Sequence, residues 1–352
     1  MDATSKSTSR TATKQASQRN AKRTAKAAPS HPAVSAERFA ANFEAMAANL
    51  DHAIKGKAEV IRLALTALLA EGNVLFEDVP GTGKTLLARA IGHTVGADTG
   101  RIQCTPDLLP GDVTGSPVLD RTSGEFVFRP GPVFAHVVLA DEVNRATPKT
   151  QSALLECMQE RTVTVDGTTH QLPAPFFVLS TQNPVELAGT FPLPEAQLDR
   201  FLFKLSLGYP SRHAETEVLR GTQRGDPIAA LDTVVDTDEV EAMIDWAAGV
   251  EVSEAVAAYI VDLVRATREE PAVELGASTR AAQALQRSAR VAAAANERED
   301  VLPDDVTPLV GPVLAHRLTL TADAQLRGET IEQVVERITA RVKVPMTLRA
   351  AE

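Results

Sequence analysis

The chain has 352 residues, enough for two domains, and its 44% hydrophobic and 23% charged content is ordinary for a globular protein. The net charge of −10 is unevenly spread: residues 1–34 carry seven Lys or Arg against the single acid Asp2, so the remainder sums to −16, a poor surface for generic nucleic-acid binding. The two cysteines, Cys104 and Cys157, fit no disulfide or metal framework and read as buried thiols, and the seven histidines contain no H-x-x-x-H pair, so a protein-ligated metal centre is not expected.

The first segment, "MDATSKSTSRTATKQASQRNAKRTAKAAPSHP", is rich in Ser, Thr, Ala, Lys and Arg and has no large apolar residue after Met1. Such a composition cannot offset its ordering entropy, so residues 1–34 are expected to be a disordered basic tail, solvated or tethered to an acidic partner or membrane. Organelle transit peptides share this Arg- and Ser-rich, acid-poor character. Two helical patterns follow, "ERFAANFEAMAANLDHAI" and "KAEVIRLALTALLAEG", the second ending at Gly72. The apolar run "LALTALLA" is bracketed by Arg62 and Glu71, well short of the roughly 18 residues that span a bilayer. With no secretory signal visible, a cytoplasmic location is expected.

Short apolar runs then alternate with helices. "NVLFE" reads as a strand, followed by a glycine-rich loop and a helix from Thr85 to Val95 closed by Gly96; "RIQC", "VFAHVVLA", "PFFVLST" and "LFKLSL" read as four more strands. This alternation predicts an α/β fold with a parallel five-stranded sheet, over residues 35–210. Two pieces interrupt it. "TPDLLPGDVTGSPVLDRTSGEFVFRPGP" is too long and too Gly/Pro-rich for a simple crossover, and "RTVTVDGTTHQL" carries a hairpin signal at Asp166-Gly167. After Pro210 the pattern is all-helical, so residues 211–352 are expected to form a second, helical domain. Val240, Met243, Ile244 and Ala247 share one helix face there. Val256, Tyr259, Ile260, Leu263 and Val264 share another, with N-cap candidates at Ser253 and Ser278. Trp246 reads as a core residue.

The chemistry is concentrated in "VLFEDVPGTGKTLLARA". A phosphate-binding loop needs backbone N–H groups aimed at the phosphates, a lysine for their charge and a hydroxyl for Mg²⁺. Pro80, Gly81, Thr82, Gly83, Lys84, Thr85 and Leu86 supply this set between a strand and a helix start, the context such a match requires. The strict pattern has glycine where this chain has Asp78, and a carboxylate there must point away from bound phosphates. About fifty residues on, the strand "VVLADE" ends in two acids. Asp141 stands where a Mg²⁺-linked carboxylate belongs, with Thr85 as its companion ligand, and Glu142 stands where a base polarises the attacking water.

The stretches "RIQCTPDLLPGDVTG", "GPVFAHVVLADEVNRATPKTQSALLECMQER", "FVLSTQNPVELAGTFPLPEAQLDRF" and "GASTRAA" make the resemblance specific. From about residue 50 to 345 the chain resembles the MoxR family of AAA+ ATPases, in the helix-2-insert branch that includes magnesium-chelatase motor subunits and replicative helicases. Members of the family carry an acid-Val-Pro-Gly loop, which accounts for Asp78. The resemblance implies a nucleotide-binding core with a helical lid. It makes Asn183 similar to sensor 1, which orients the lytic water, Arg200 similar to the arginine finger, and Arg280 similar to sensor 2. Arg280 also falls in the first turn of the helix beginning at Ser278, where its charge adds to that of the helix N-terminus. Arg145 is a further candidate at the nucleotide interface. By the same resemblance the two interruptions are the helix-2 insert and a projecting hairpin, both candidate partner contacts.

The family implies ATP and Mg²⁺ as ligands, ATP hydrolysis as the reaction, and a ring, a hexamer, in which Arg200 acts on the neighbouring subunit. No protease, DNA-binding or metal-ligand motif is attached, so the work is expected to fall on a separate client protein, one candidate class carrying a von Willebrand A domain. Alternatives are a chelatase-like motor subunit, a nucleic-acid motor, disfavoured by the acidic body, and a nucleotide-gated scaffold without turnover.

Overall fold

The structure is a computed structural model that describes residues 34–79, 81–183, 189–212, 215–216 and 226–345. The basic N-terminal tail and Pro80 lie outside the described residues. The described chain opens with α1 (Ala36–Ala53), capped by the Ser35 hydroxyl, which accepts the N–H of Arg38 at 3.2 Å. Phe39, Phe43, Met46 and Leu50, spaced four, three and four apart, make its buried face. Helix α2 (Ala58–Leu69) buries Ile61, Leu65, Leu68 and Leu69. At its end the left-handed residue is Glu71 (φ 53°), not Gly72. Gly72 is required for another reason: a Cβ there would lie 2.5 Å from Leu202 Cβ.

Strand β1 (Val74–Glu77) leads through the glycine loop into α3 (Lys84–Thr94). The chain continues through β2 (Thr99–Gln103), the single-turn α4 (Pro110–Thr114), and an antiparallel pair of β3 (Gly115–Leu119) and β4 (Phe126–Pro130). Then come β5 (Val137–Asp141), α5 (Pro148–Glu160), the hairpin of β6 (Thr162–Val165) and β7 (Thr168–Gln171), β8 (Phe177–Gln182), the short α6 (Glu195–Leu198) and β9 (Phe203–Leu205). Asp166 and Gly167 have φ of 48° and 78°, as a two-residue hairpin turn demands.

Strands β2, β5, β8, β1 and β9 form one sheet in that order, every pair parallel. Side-chain alternation divides its two faces. Val74, Phe76, Val137, Leu139, Phe177 and Leu179 face α1, α2, α3 and the lid, whereas Leu75, Val138, Ala140 and Val178 pack with Leu154, Leu155 and Met158 of α5. Strand β5 starts four residues later than the apolar run "VFAHVVLA" suggests. Val133 and Ala135 are buried, yet residues 132–136 arch over β2. A Cβ on Gly100 would lie 2.2 Å from the carbonyl oxygen of Pro132, and the ladder with Thr99 begins only at Val137.

The lid is helical: α7 (Thr237–Gly249), α8 (Glu254–Glu269), α9 (Thr279–Ala294), the one-turn α10 (Pro303–Val306) and α11 (Val310–Leu314), then α12 (Ala322–Leu326) and α13 (Ile331–Arg341). Ser253 and Ser278 cap α8 and α9. One antiparallel pair, β10 (Val273–Leu275) with β11 (Thr319–Leu320), lies within the lid, too short to show in the sequence pattern. Val240, Met243, Val256, Tyr259, Ile260, Leu263 and Leu285 join the same apolar cluster as α1, α2 and the sheet. Trp246 packs on Phe39 with ring centroids 5.5 Å apart. Among the described residues no helix is long and apolar enough to cross a membrane.

Candidate active site

The site sits at the carboxyl end of the parallel strands, where open α/β sheets bind ligands. Strand β1 ends into the loop at Asp78, β5 ends at Asp141 and β8 ends before Asn183. The fold thereby gathers Gly81, Thr82, Gly83, Lys84, Thr85 and Leu86 with Asp141, Glu142 and Asn183 around one cavity of about 430 Å³. Gly81 and Gly83 have φ of 82° and 96°, which only glycine holds without strain. Apart from the glycine and its chain neighbours, no atom of the described residues lies within 4 Å of where a side chain would begin at either position, so the loop is open there for close approach of a ligand.

Asp78 is turned out of that space. Its carboxylate accepts the Ser206 hydroxyl (3.0 Å) and the backbone N–H groups of Leu207 (2.5 Å) and Gly208 (3.1 Å), which staples the loop's first residue to the chain leaving β9. Lys84 Nζ donates to the carbonyls of Asp78 (3.1 Å) and Val79 (3.0 Å). Burial lowers its pKa, while Asp78, Asp141 and Glu142 pull the other way. The ammonium is thus held by the loop itself and aimed by it. This donor set, open glycine backbone with a fixed ammonium and the Thr85 hydroxyl, fits a polyphosphate.

The acids are organised by Thr181. Its Oγ1 accepts the N–H of Glu142 at 2.8 Å and donates to Asp141 Oδ1 at 3.3 Å. Glu142 adopts the left-handed conformation (φ 58°), which costs of order 1 kcal/mol for a non-glycine residue and turns the chain sharply out of β5. Its carboxylate meets Arg145 Nη1 at 2.9 Å, and Asp141 meets Arg101 at 2.8 Å. Arg101, Gln103 and Thr181, which line the cavity, carry no motif signal. They are recognisable only once β2 and β8 are known to flank β5. Cys104 lies beside these acids with its thiol pushed up to about 12, by burial first and then by Asp141 and Glu142, so it is no nucleophile.

Comparison with known proteins agrees with this geometry. Residues 73–203 match the model of the ATPase family associated with various cellular activities (AAA), and residues 265–338 match the AAA lid domain. The chain is 40% identical to the chaperone MoxR1 of Mycobacterium tuberculosis over 91% of its own length and 88% of that protein's. It is 48% identical to Bacillus subtilis YeaC, a protein described as uncharacterized, over 85% and 93%. It also matches a candidate ATPase from Cytophaga hutchinsonii in crystal structure, with a TM-score of 0.82, 38% identity and coverage of 88% and 97%. The chain belongs to the MoxR family of AAA ATPases.

As an AAA ATPase this MoxR-family chain binds and hydrolyses ATP. Three of the residues singled out from the sequence do not line the phosphate-loop cavity: Arg145, which reaches it only through its pair with Glu142, and Arg200 and Arg280. Arg200 and Arg280 line a second cavity of about 480 Å³, which shares no lining residue with the first. Asp199 organises it, accepting from Ser278 Oγ (2.9 Å) and Arg317 Nε (2.7 Å), with Arg280 Nη1 at 3.6 Å. Arg317 is buried and also donates to the carbonyls of Asp199, Phe201, Leu202 and Val313, which fixes the backbone on both sides of Arg200. Sequence reading missed it; the only signal is an arginine inside the apolar run "VGPVLAHRLTL".

Proposed function

We propose that the chain assembles into a ring, a hexamer, in which each phosphate-loop cavity is completed by Arg200 and Arg280 of the neighbouring copy, and that ATP turnover remodels a client protein. The observation that supports the ring is the separation of those two arginines from their own chain's phosphate loop. Chaperone action is supported by the 40% identity to a protein named as a chaperone.

Within one site, the loop amides and Lys84 hold the phosphates, Glu142 takes up the proton of the attacking water, and Asn183 orients that water. Thr85 and Asp141 would hold Mg²⁺, which would supply charge neutralisation at the phosphates. Arg200 brings positive charge to the transferred phosphoryl group, worth roughly 10³–10⁵ in rate where such fingers act. The client is a separate protein, one candidate class bearing a von Willebrand A domain, and the site of action is the cytoplasm. The exposed apolar residues Leu119 and Phe126 on the β3–β4 insert are the candidate client contact.

Mg²⁺-dependent ATP turnover against protein concentration tests the reading. Specific activity is expected to rise with concentration and to fall at least a hundredfold, on the order of a lost catalytic group, in both Glu142→Gln and Arg200→Ala. Turnover independent of concentration and untouched by Arg200→Ala would overturn the ring.

A further inference from the structure

The second cavity holds more positive charge than Arg200 and Arg280 account for. Arg161, Arg287 and Arg317 also line it, against two carboxylates, Glu71 and Asp199. Both carboxylates are engaged: Glu71 pairs with Arg161, and Asp199 pairs with Arg317 and Arg280. Arg200 and Arg287 remain, and among the described residues no hydrogen bond or ion pair reaches either guanidinium. Arg287 lies on α9 seven residues after Arg280, two helical turns along the same face. Desolvation at the cavity wall lowers its pKa, Glu71 opposes this, and the neighbouring Arg161 adds a smaller push downward. Its side chain is exposed, so the unpaired guanidinium stands open to an anion that arrives from outside.

We propose that Arg287 is a third arginine, beside Arg200 and Arg280, that binds the phosphates of the nucleotide held by the neighbouring copy of the chain. The inference rests on the ring reading above and adds to it a residue that no motif marks. A triphosphate fits this cavity better than an acidic peptide does. It concentrates several negative charges on one group, and each planar guanidinium can take two phosphate oxygens at once. The cavity's surplus of three positive charges, five arginines against two carboxylates, needs such a dense anion.

The proposal gives Arg287 a signature that a structural arginine lacks. Arg287→Met keeps the volume and removes the uncompensated charge. At this exposed position it is expected to leave the melting temperature of the nucleotide-free chain within about a degree of wild type and to lower ATP turnover roughly tenfold or more. Arg287→Lys keeps a charge without the fork, so it should retain more turnover than the Met variant. Mixing Arg287→Met subunits with Glu142→Gln subunits, each inactive or weak alone, should restore part of the turnover. An intact phosphate loop on one then meets intact arginines on the other. Arg200→Ala mixed with Glu142→Gln serves as the companion. If that companion mixture gains nothing, the ring reading fails. If it recovers while Arg287→Met keeps wild-type turnover, melts clearly lower than wild type, or loses turnover without recovery on mixing, the ring stands and the role of Arg287 is overturned.

Discussion

Asp78 shows how one side chain can look like a defect in a motif and be a structural part of it. The strict phosphate-loop pattern has glycine there, yet the carboxylate collects three donors from residues 206–208 and leaves the phosphate space free. Asp78→Gly restores the strict pattern and is expected to weaken the protein, because the N–H groups of Leu207 and Gly208 lose their acceptor. A loss of about 2–3 kcal/mol in urea unfolding is expected, with weaker ATP binding, and a smaller loss for Asp78→Asn, which keeps one oxygen. Gly72 teaches the converse lesson. A glycine at a helix end suggests the left-handed cap, but Glu71 takes that conformation and Gly72 is small because Leu202 packs against its backbone. Composition cannot separate these two demands on a glycine, since only the approach of a residue 130 positions away distinguishes them.

Among the elements, the two excursions from the sheet turn out to be joined. Phe128 of β4 stacks on His170 of β7 with centroids 4.1 Å apart, and Phe134 meets both rings edge-on. The β6–β7 hairpin could be recognised from Asp166-Gly167, and the longer piece only as a Gly/Pro-rich interruption; that they share an aromatic cluster could not, because no local pattern records it. The cluster makes the helix-2 insert and the hairpin move together. His170→Ala is therefore expected to cost about 1 kcal/mol and to speed amide hydrogen exchange in β3–β4 as well as β6–β7, leaving β1, β5 and β8 unchanged. Exchange confined to β6–β7 would show the two pieces to be independent. The late start of β5 belongs at this scale too. An apolar run reports burial, and Val133 and Ala135 are buried by arching over β2 rather than by pairing in the ladder.

At the scale of the molecule, the sheet and the lid share one apolar cluster. Phe39, Met46, Leu65 and Phe177 belong to it together with Met243, Tyr259, Leu263 and Leu285. A core continuous across two sequence regions predicts one cooperative unfolding transition for the chain rather than two. Differential scanning calorimetry checks this, and a van't Hoff enthalpy equal to the calorimetric one is the expected result. The same packing fixes the lid helix α9 beside Asp199 through Ser278 and Arg280, so the arginine cavity is a product of core and lid together.

The sequence by itself determined the phosphate loop, the acidic pair, the five parallel strands and the helical lid. All of these rest on contiguous residues whose spacing is set by local geometry: a strand running into a glycine turn, alternation along a strand, a 3.6-residue helical period. Arg200 and Arg280 were singled out through motif context, but their meeting in one cavity was not legible there. Only the tertiary structure showed Arg101 and Thr181 at the acids, Arg317 clamping the backbone around Arg200, and Arg287 standing uncompensated beside it. These residues come from segments far apart in the chain, and their roles arise from strand order, from lid packing and from the balance of charge around one cavity. None of those quantities is carried by any one stretch of sequence.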